Sequence, residues 1–171
     1  MKVIINGRFL IHRVTGVERY AREILSELDK IIEPDSIEMA VPPEVGDIPT
    51  YKNIKVVKIG KLHNRLWEHF SFPWYVHKNK GVSLNLCNVA PLPAPGIVCI
   101  HDVKVKATPQ YFSKKFLLWY DLLLGNATKR ARKIITVSEF SKSEIVKYFK
   151  VNPDKITVIP NAWQAFEKIE I

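Results

Sequence analysis

The chain predicts an α/β domain, a Rossmann-like doubly wound and mostly parallel sheet with helices on both faces. Three observations carry that expectation. Short apolar runs alternate along the chain with longer segments whose apolar residues recur at helical spacing. The runs are apolar throughout, the pattern of strands buried on both faces. Gly, Pro, Asn and Asp punctuate the joins between the two kinds of segment.

The elements follow in order. Strand 2–6 is apolar and ends at Gly7, and Arg8–Val14 reads as a loop. Thr15-Gly16-Val17 opens a helix over 16–31 with Val17, Tyr20, Ala21, Ile24, Leu25, Leu28 and Ile31/Ile32 on one face. Strands at 37–41 and 54–59 flank the proline-rich turn Val41–Tyr51, and a helix covers 63–79. Strands 82–87 and 97–101 enclose a second proline-rich turn, Ala90–Gly96, before a helix over 113–131. Ile134–Val137 is short enough for a buried strand. Ser138, with Ser141 three residues on, then opens a helix over 139–149 that aligns Ile145, Tyr148 and Phe149. Asn152-Pro153-Asp154 ends that helix, and Pro160-Asn161 breaks a last strand at 156–159. In such sheets a ligand sits beyond the carboxyl ends of the strands, so Gly7–Gly16, His101-Asp102 and Ser138-Glu139 are expected on one rim.

A length of 171 residues, 47% hydrophobic and 25% charged, suits one soluble domain with one good core, placed at 1–160. Repeats, low-complexity tracts and flexible linkers are absent from the sequence. Cys87 and Cys99 lack the spacing of a zinc site and read as buried reduced thiols, which points to a reducing cytoplasm. The start lacks the features of a signal peptide, and no apolar run approaches the ~18 residues of a membrane span. A net charge of +9 and a pI near 9.5 draw the chain toward polyanions or an anionic lipid surface.

Thr15-Gly16-Val17 presents free backbone amides at a helix entrance. Two readings stand: a capped helix with Gly16 as filler, or a close approach for a phosphate or carboxylate. Gly7 and Gly16 are nine apart, so the dinucleotide fingerprint Gly-x-Gly-x-x-Gly is missing. His101-Asp102 follows a strand, where His101 is either an ordinary satisfied histidine or a ligand contact; Asp102 either orients it or caps the next turn. Ser138 reads as a helix cap with a minor side contact to ligand, and Glu139 suits the helix dipole. His12, His63, His69 and His77 have no metal-like spacing, and Walker, Gly-x-Ser-x-Gly and Cys/His nucleophile patterns are missing. The segments Lys61–Lys80 and Tyr111–Lys133 mix aromatic residues with positive charge. Each is either core with a solvated face or a helix on an anionic leaflet, whose binding would fall with salt and with Lys114 and Lys115 reversed to Glu.

Three quoted stretches, "NGRFLIHRVTGVERYAREIL" at the start, "CIHDV" at 99–103 and "ITVSEFSKSEI" leading to "KITVIPNA", are spread over almost the whole chain. In that order they resemble the N-terminal domain of retaining GT-B glycosyltransferases of the group 1, family 4 type, related to O-antigen and lipopolysaccharide sugar transferases. The resemblance implies one lobe of a GT-B fold that moves a hexose, mannose among the candidates, from a nucleotide-sugar to a saccharide or lipid-linked acceptor.

It further implies that Gly16 approaches the donor phosphate and that His101 contacts the donor sugar at the reaction centre, not as a general base. Asn6–Val14, with Arg8, would contact acceptor, and Thr15, Asp102 and Ser138 would border the site. Thr15-Gly16 stands where the family more often has two glycines. No cofactor or metal is implied, since the nucleotide-sugar is a substrate. Residues 161–171 would be the crossover to a C-terminal, donor-binding domain or the start of that domain, without which turnover is negligible. The expected place is the cytoplasm, peripheral at the inner face of the membrane. The rival readings are a basic α/β module for RNA or an anionic surface, which lacks an RNA signature, and a stand-alone Rossmann enzyme, which lacks the glycine fingerprint.

Overall fold

The computed structural model of the chain describes residues 2–161. Its strands are β1 (Val3–Asn6), β2 (Ile37–Val41), β3 (Lys55–Lys58), β4 (Val82–Asn85), β5 (Ile97–Cys99), β6 (Lys133–Thr136) and β7 (Ile156–Val158). They form one sheet in the order β3-β2-β1-β4-β5-β6-β7, and every neighbouring pair is parallel. The expected doubly wound, Rossmann-like sheet is therefore present. The chain runs outward from β1 to β3, crosses back, and runs outward again from β4 to β7, so the strand order reverses between β1 and β4. A crevice opens at that point because the two flanking connections leave in opposite directions.

The helices divide between the faces as right-handed crossovers require. Helix α1 (Gly16–Ile31) joins β1 to β2 and packs Ala21 and Leu25 with Ile5 and Met39. Ile4 points the other way, onto Trp67, Phe72 and Val76. These three belong to a segment built from α2 (Asn64–Leu66), a π turn (Trp67–Ser71) and α3 (Phe72–Lys78). Beyond α4 (Lys104–Ala107), helices α5 (Lys114–Arg130) and α6 (Glu139–Phe149) cover Val98 and Ile134 with Leu124, Ala127 and Ile145.

Several expectations change in detail. The loop after β1 begins as a 3-10 turn, Gly7–Ile11, because the Asn6 side-chain oxygen accepts from the Arg8 amide at 3.2 Å. Gly7 is demanded by packing: a Cβ there would lie 2.5 Å from a Val41 methyl and 2.7 Å from the Ala40 carbonyl. The helix expected at 63–79 is interrupted by the π turn. Ile31, expected on the apolar face of α1, is 81% exposed, while Asp29 is buried. The reason is a loop anchor. The Asp29 carboxylate accepts the backbone N–H groups of Lys52 at 2.7 Å, Asn53 at 2.7 Å and Ile54 at 2.8 Å, fixing the entry to β3. Helix α6 stops at Lys150, which takes the left-handed conformation (φ 54°), ahead of the Asn152-Pro153-Asp154 turn. The proposed crossover lies, beyond Asn161, outside the described residues.

Candidate functional site

A cleft of about 280 Å³ occupies the β1/β4 switch point at the carboxyl rim of the sheet. Its floor is polar and buried. Asn6 ends β1 and Asn85 ends β4, and the Asn6 amide donates to Asn85 Oδ1 at 3.0 Å and to Glu68 Oε1 at 2.9 Å. Asn85 in turn donates to the carbonyls of Pro95 at 2.9 Å and Ile97 at 3.2 Å, which fixes its orientation. Arg8 closes the network: its Nε lies 3.0 Å from Glu68 Oε2 and its Nη1 donates to Asn64 Oδ1 at 2.7 Å. Buried polar groups so fully partnered hold a rigid surface.

The π turn explains how Glu68 reaches this floor. A π turn carries one residue more per hydrogen-bonded loop than an α turn. Trp67 and Phe72, five apart, can then both enter the core, leaving Glu68 and His69 to line the cleft. His69 Nδ1 accepts the Leu92 amide at 3.3 Å, and its ring meets Trp119 edge-on at 5.8 Å. Arg65 sits over the Trp119 ring at 5.4 Å. Phe116, Trp119 and Tyr120 of α5 thus form an aromatic wall opposite the polar floor. Burial pushes the pKa of His69 below its ordinary value; that of His12, also on the cleft, is lowered first by burial and then by the Arg8 charge.

The residues singled out in the sequence lie along the same rim. Thr15 caps α1: the Glu18 carboxylate accepts from both its amide and its hydroxyl, and Glu18 borders the cleft. Those bonds outweigh burial and hold the Glu18 carboxyl below its usual range. A Cβ built on Gly16 meets nothing within 4 Å, so the protein's own packing does not require glycine there. His101 is half-buried next to the cleft, its ring edge-on to Tyr20 of α1 at 4.6 Å. Its Nε2 donates to the Leu86 carbonyl at 2.9 Å, which fixes the proton on Nε2 and leaves Nδ1 as an acceptor. Burial lowers its pKa, so the ring is neutral near pH 7.

Asp102 caps the next turn, accepting the Lys104 amide at 3.0 Å. Ser138 caps α6 by accepting the Ser141 amide at 3.0 Å, and the Ser141 hydroxyl donates to the His101 carbonyl at 2.8 Å. Arg8 is the one of the group inside the cleft itself. Cys99 lies buried beneath His101, 3.6 Å from its Nε2, its thiol pushed up to about 11 by burial; Cys87 is raised as well, so both are neutral thiols. Among the described residues no group of three or more His, Cys, Asp or Glu is arranged to hold a metal ion.

Glu68, His69, Asn85, Arg65 and Trp119 were not among the sequence's candidates. One signal was available: Glu68 is the only acid in a strongly basic stretch, Lys58–Lys80. An acid alone in such a stretch has reason to be buried and paired.

A doubly wound α/β domain with a polar-floored, aromatic-walled cleft at its switch point belongs to the class that binds small polar ligands at the sheet rim. The pattern of glycosyltransferase family 4 matches residues 14–163, and the chain belongs to that family. It is 26% identical over 174 residues to the O-antigen chain mannosyltransferase RfbU of Salmonella typhimurium, covering 94% of this chain and 48% of that protein. It is 32% identical over 60 residues to O-antigen chain mannosyltransferase B of Escherichia coli, covering 35% of this chain and 16% of that one. The chain therefore spans about half the length, or less, of these relatives.

Proposed function

We propose that the chain is the acceptor-side lobe of a hexosyltransferase that acts, with retention, from a nucleotide-sugar onto a saccharide or lipid-linked acceptor in O-antigen-like polysaccharide synthesis. Mannose is the first candidate sugar, from the names of the two relatives. The observation that carries the reading is the cleft: the oxygens of buried Asn6, Glu68 and Asn85 keep lone pairs for hydroxyl donors, and Phe116, Trp119 and Tyr120 line the facing wall with aromatic rings.

In this reading the donor lies between Gly16 and a second lobe. Gly16 occupies open space at a helix N-terminus, where amides and dipole favour a diphosphate. His101, neutral and with Nδ1 available as an acceptor, receives a hydroxyl of the transferred sugar; it positions and does not take up a proton. The leaving diphosphate accepts the acceptor's proton, and the protein stabilises developing charge by fixed dipoles. Neither cofactor nor metal enters this scheme. The second lobe would follow Pro160-Asn161, and its closure would complete the site.

Among the described residues no helix is long and apolar enough to cross a membrane. We place the enzyme at the cytoplasmic membrane surface, where its basic charge meets anionic lipid. The test is transfer from radiolabelled nucleotide-hexoses, a mannose nucleotide first, to membrane extracts, with residues 1–171 and with the protein extended by its second lobe. Transfer by the extended protein alone is expected. Absence of transfer by either, with tight binding of an unrelated oligonucleotide, would replace the reading with that of a nucleic-acid module.

A further inference from the structure

The segment from Leu62 to Trp74, whose Arg65, Glu68 and His69 line the cleft, presents a second surface on its outer side. Leu62, Leu66, Phe70 and Trp74 recur every four residues and are 39%, 58%, 62% and 62% exposed. In a regular α-helix a stride of four overshoots a turn by about 40° each time, so such a row would wind off its face. The π turn Trp67–Ser71 takes more residues per turn and winds the row back, so that Phe70 and Trp74 line one hollow with Leu62 while Trp67, Phe72 and Val76 fill the core behind them. An open hollow of about 340 Å³ adjoins the row, lined by Ile59, Leu62, Phe70, Trp74 and Tyr75 among others.

The charges around this row are mostly positive. Lys58, Lys61, Arg65, Lys78 and Lys80 are exposed, and Lys78 rests over the Trp74 ring at 5.0 Å. Glu68, the one acid between residues 58 and 80, is buried in the cleft floor on Arg8 and Asn6. The nearby Glu44 is engaged by the ring of His63 at 3.1 Å and the Asn64 amide at 2.6 Å. Exposed aromatic and leucine side chains ringed mostly by lysine and arginine match an interface whose surface is anionic and whose interior is hydrocarbon. A protein partner of ordinary mixed charge would leave these cations unanswered.

We propose that the Leu62–Trp74 row is the membrane-docking surface of this protein, inserting Phe70 and Trp74 among the acyl chains of an anionic leaflet while Lys58, Lys61 and Lys78 engage lipid phosphates. The proposal rests on the reading of a membrane-surface enzyme and gives it a specific face. Arg65 joins the two regions: it lies within the row in sequence, between Leu62 and Leu66, and sits over Trp119 at the cleft wall. The cleft thereby opens beside the bilayer, where a lipid-linked acceptor would present its sugar.

The whole protein is to be sedimented with vesicles of phosphatidylcholine and with vesicles containing phosphatidylglycerol, and its tryptophan emission read with brominated lipids. Salt-sensitive binding to the anionic vesicles is expected, with quenching that disappears in Trp74→Phe while binding remains. Phe70→Ser with Trp74→Ser should weaken binding about tenfold or more; Lys61→Gln with Lys78→Gln should weaken it and lower its salt dependence. Circular dichroism and nucleotide-sugar titration should match the unmodified protein in each variant. Binding without quenching, or unchanged by Phe70→Ser with Trp74→Ser, would overturn the proposal. So would a Trp74 shielded from aqueous quencher in the free protein, since another segment or a second copy would then cover the row. Quenching without any nucleotide-sugar binding would leave the docking face standing and remove the transferase reading.

Discussion

Arg8 Nε lies 3.0 Å from Glu68 Oε2, joining the turn after the first strand to a π turn sixty residues on. Both side chains are largely buried, at 14% and 3% exposure; Asn6 donates to the Glu68 carboxylate and Asn64 accepts from the Arg8 guanidinium. Removing one partner strands the other's charge in the cleft floor. Glu68→Ala should cost about 3–5 kcal/mol of stability, the range for breaking a buried pair. Glu68→Gln, which keeps an acceptor, should cost less. Denaturant titration of the two variants measures the difference, and equal costs would show that the charge is not what matters.

Gly16 gives a cleaner separation of folding from activity. With nothing within 4 Å of an added Cβ, Gly16→Ala should leave the melting temperature unchanged or slightly raised. If the donor diphosphate approaches that backbone, nucleotide-sugar affinity and transfer should fall by about tenfold, a loss of about 1.4 kcal/mol. A variant that transfers as well as the parent removes Gly16 from the site.

Gly7 should behave oppositely. Its Cβ would meet Val41 and Ala40 at distances no side chain tolerates, so Gly7→Ala should destabilise by about 1–3 kcal/mol. Thermal melting of this variant beside Gly16→Ala is the comparison to make.

Asp29→Asn should loosen the turn before β3, because a neutral amide cannot accept three backbone N–H groups as a carboxylate does. A cost of about 1–3 kcal/mol is expected, with faster amide exchange at Lys52, Asn53 and Ile54. Exchange unchanged at those three positions would contradict the anchor.

The histidines set a pH dependence. Burial lowers the pKa of His12, His69 and His101 in the folded chain, so below their ordinary value of about 6.5 the unfolded chain binds more protons than the folded one. Their contribution to stability is fully present above that pH and is lost as pH falls from there toward the folded values. Denaturation midpoints measured from pH 7.5 down to pH 5 should decline, and His69→Gln should make the decline shallower. A flat profile would mean that His69 and His101 are not shielded from solvent in solution.

Strands, helices and the domain's class were legible because each depends on neighbours in sequence. The apolar runs at Ile4–Ile5, Val98–Ile100 and Ile134–Ile135 suit strands covered on both faces, and the caps at Thr15 and Ser138 are written within three residues of the helices they open. A parallel order then carries Gly16, His101 and Ser138 to one rim with no further information. The cleft floor was not legible. Asn6, Glu68 and Asn85 are 62 and 79 positions from first to second and first to third, and no local periodicity relates them. The exposure of Ile31 and burial of Asp29 were hidden likewise, since a loop from beyond β2 decides both.

By itself, then, the sequence determined the alternation of elements, the parallel sheet and the turns that face a ligand, all products of spacing and capping within a few residues. Only the tertiary structure decided which polar groups are shared across the switch point and which aromatic residues face outward. A single π turn changes the helical period between Trp67 and Phe72, and that change sends Glu68 inward and Phe70 out.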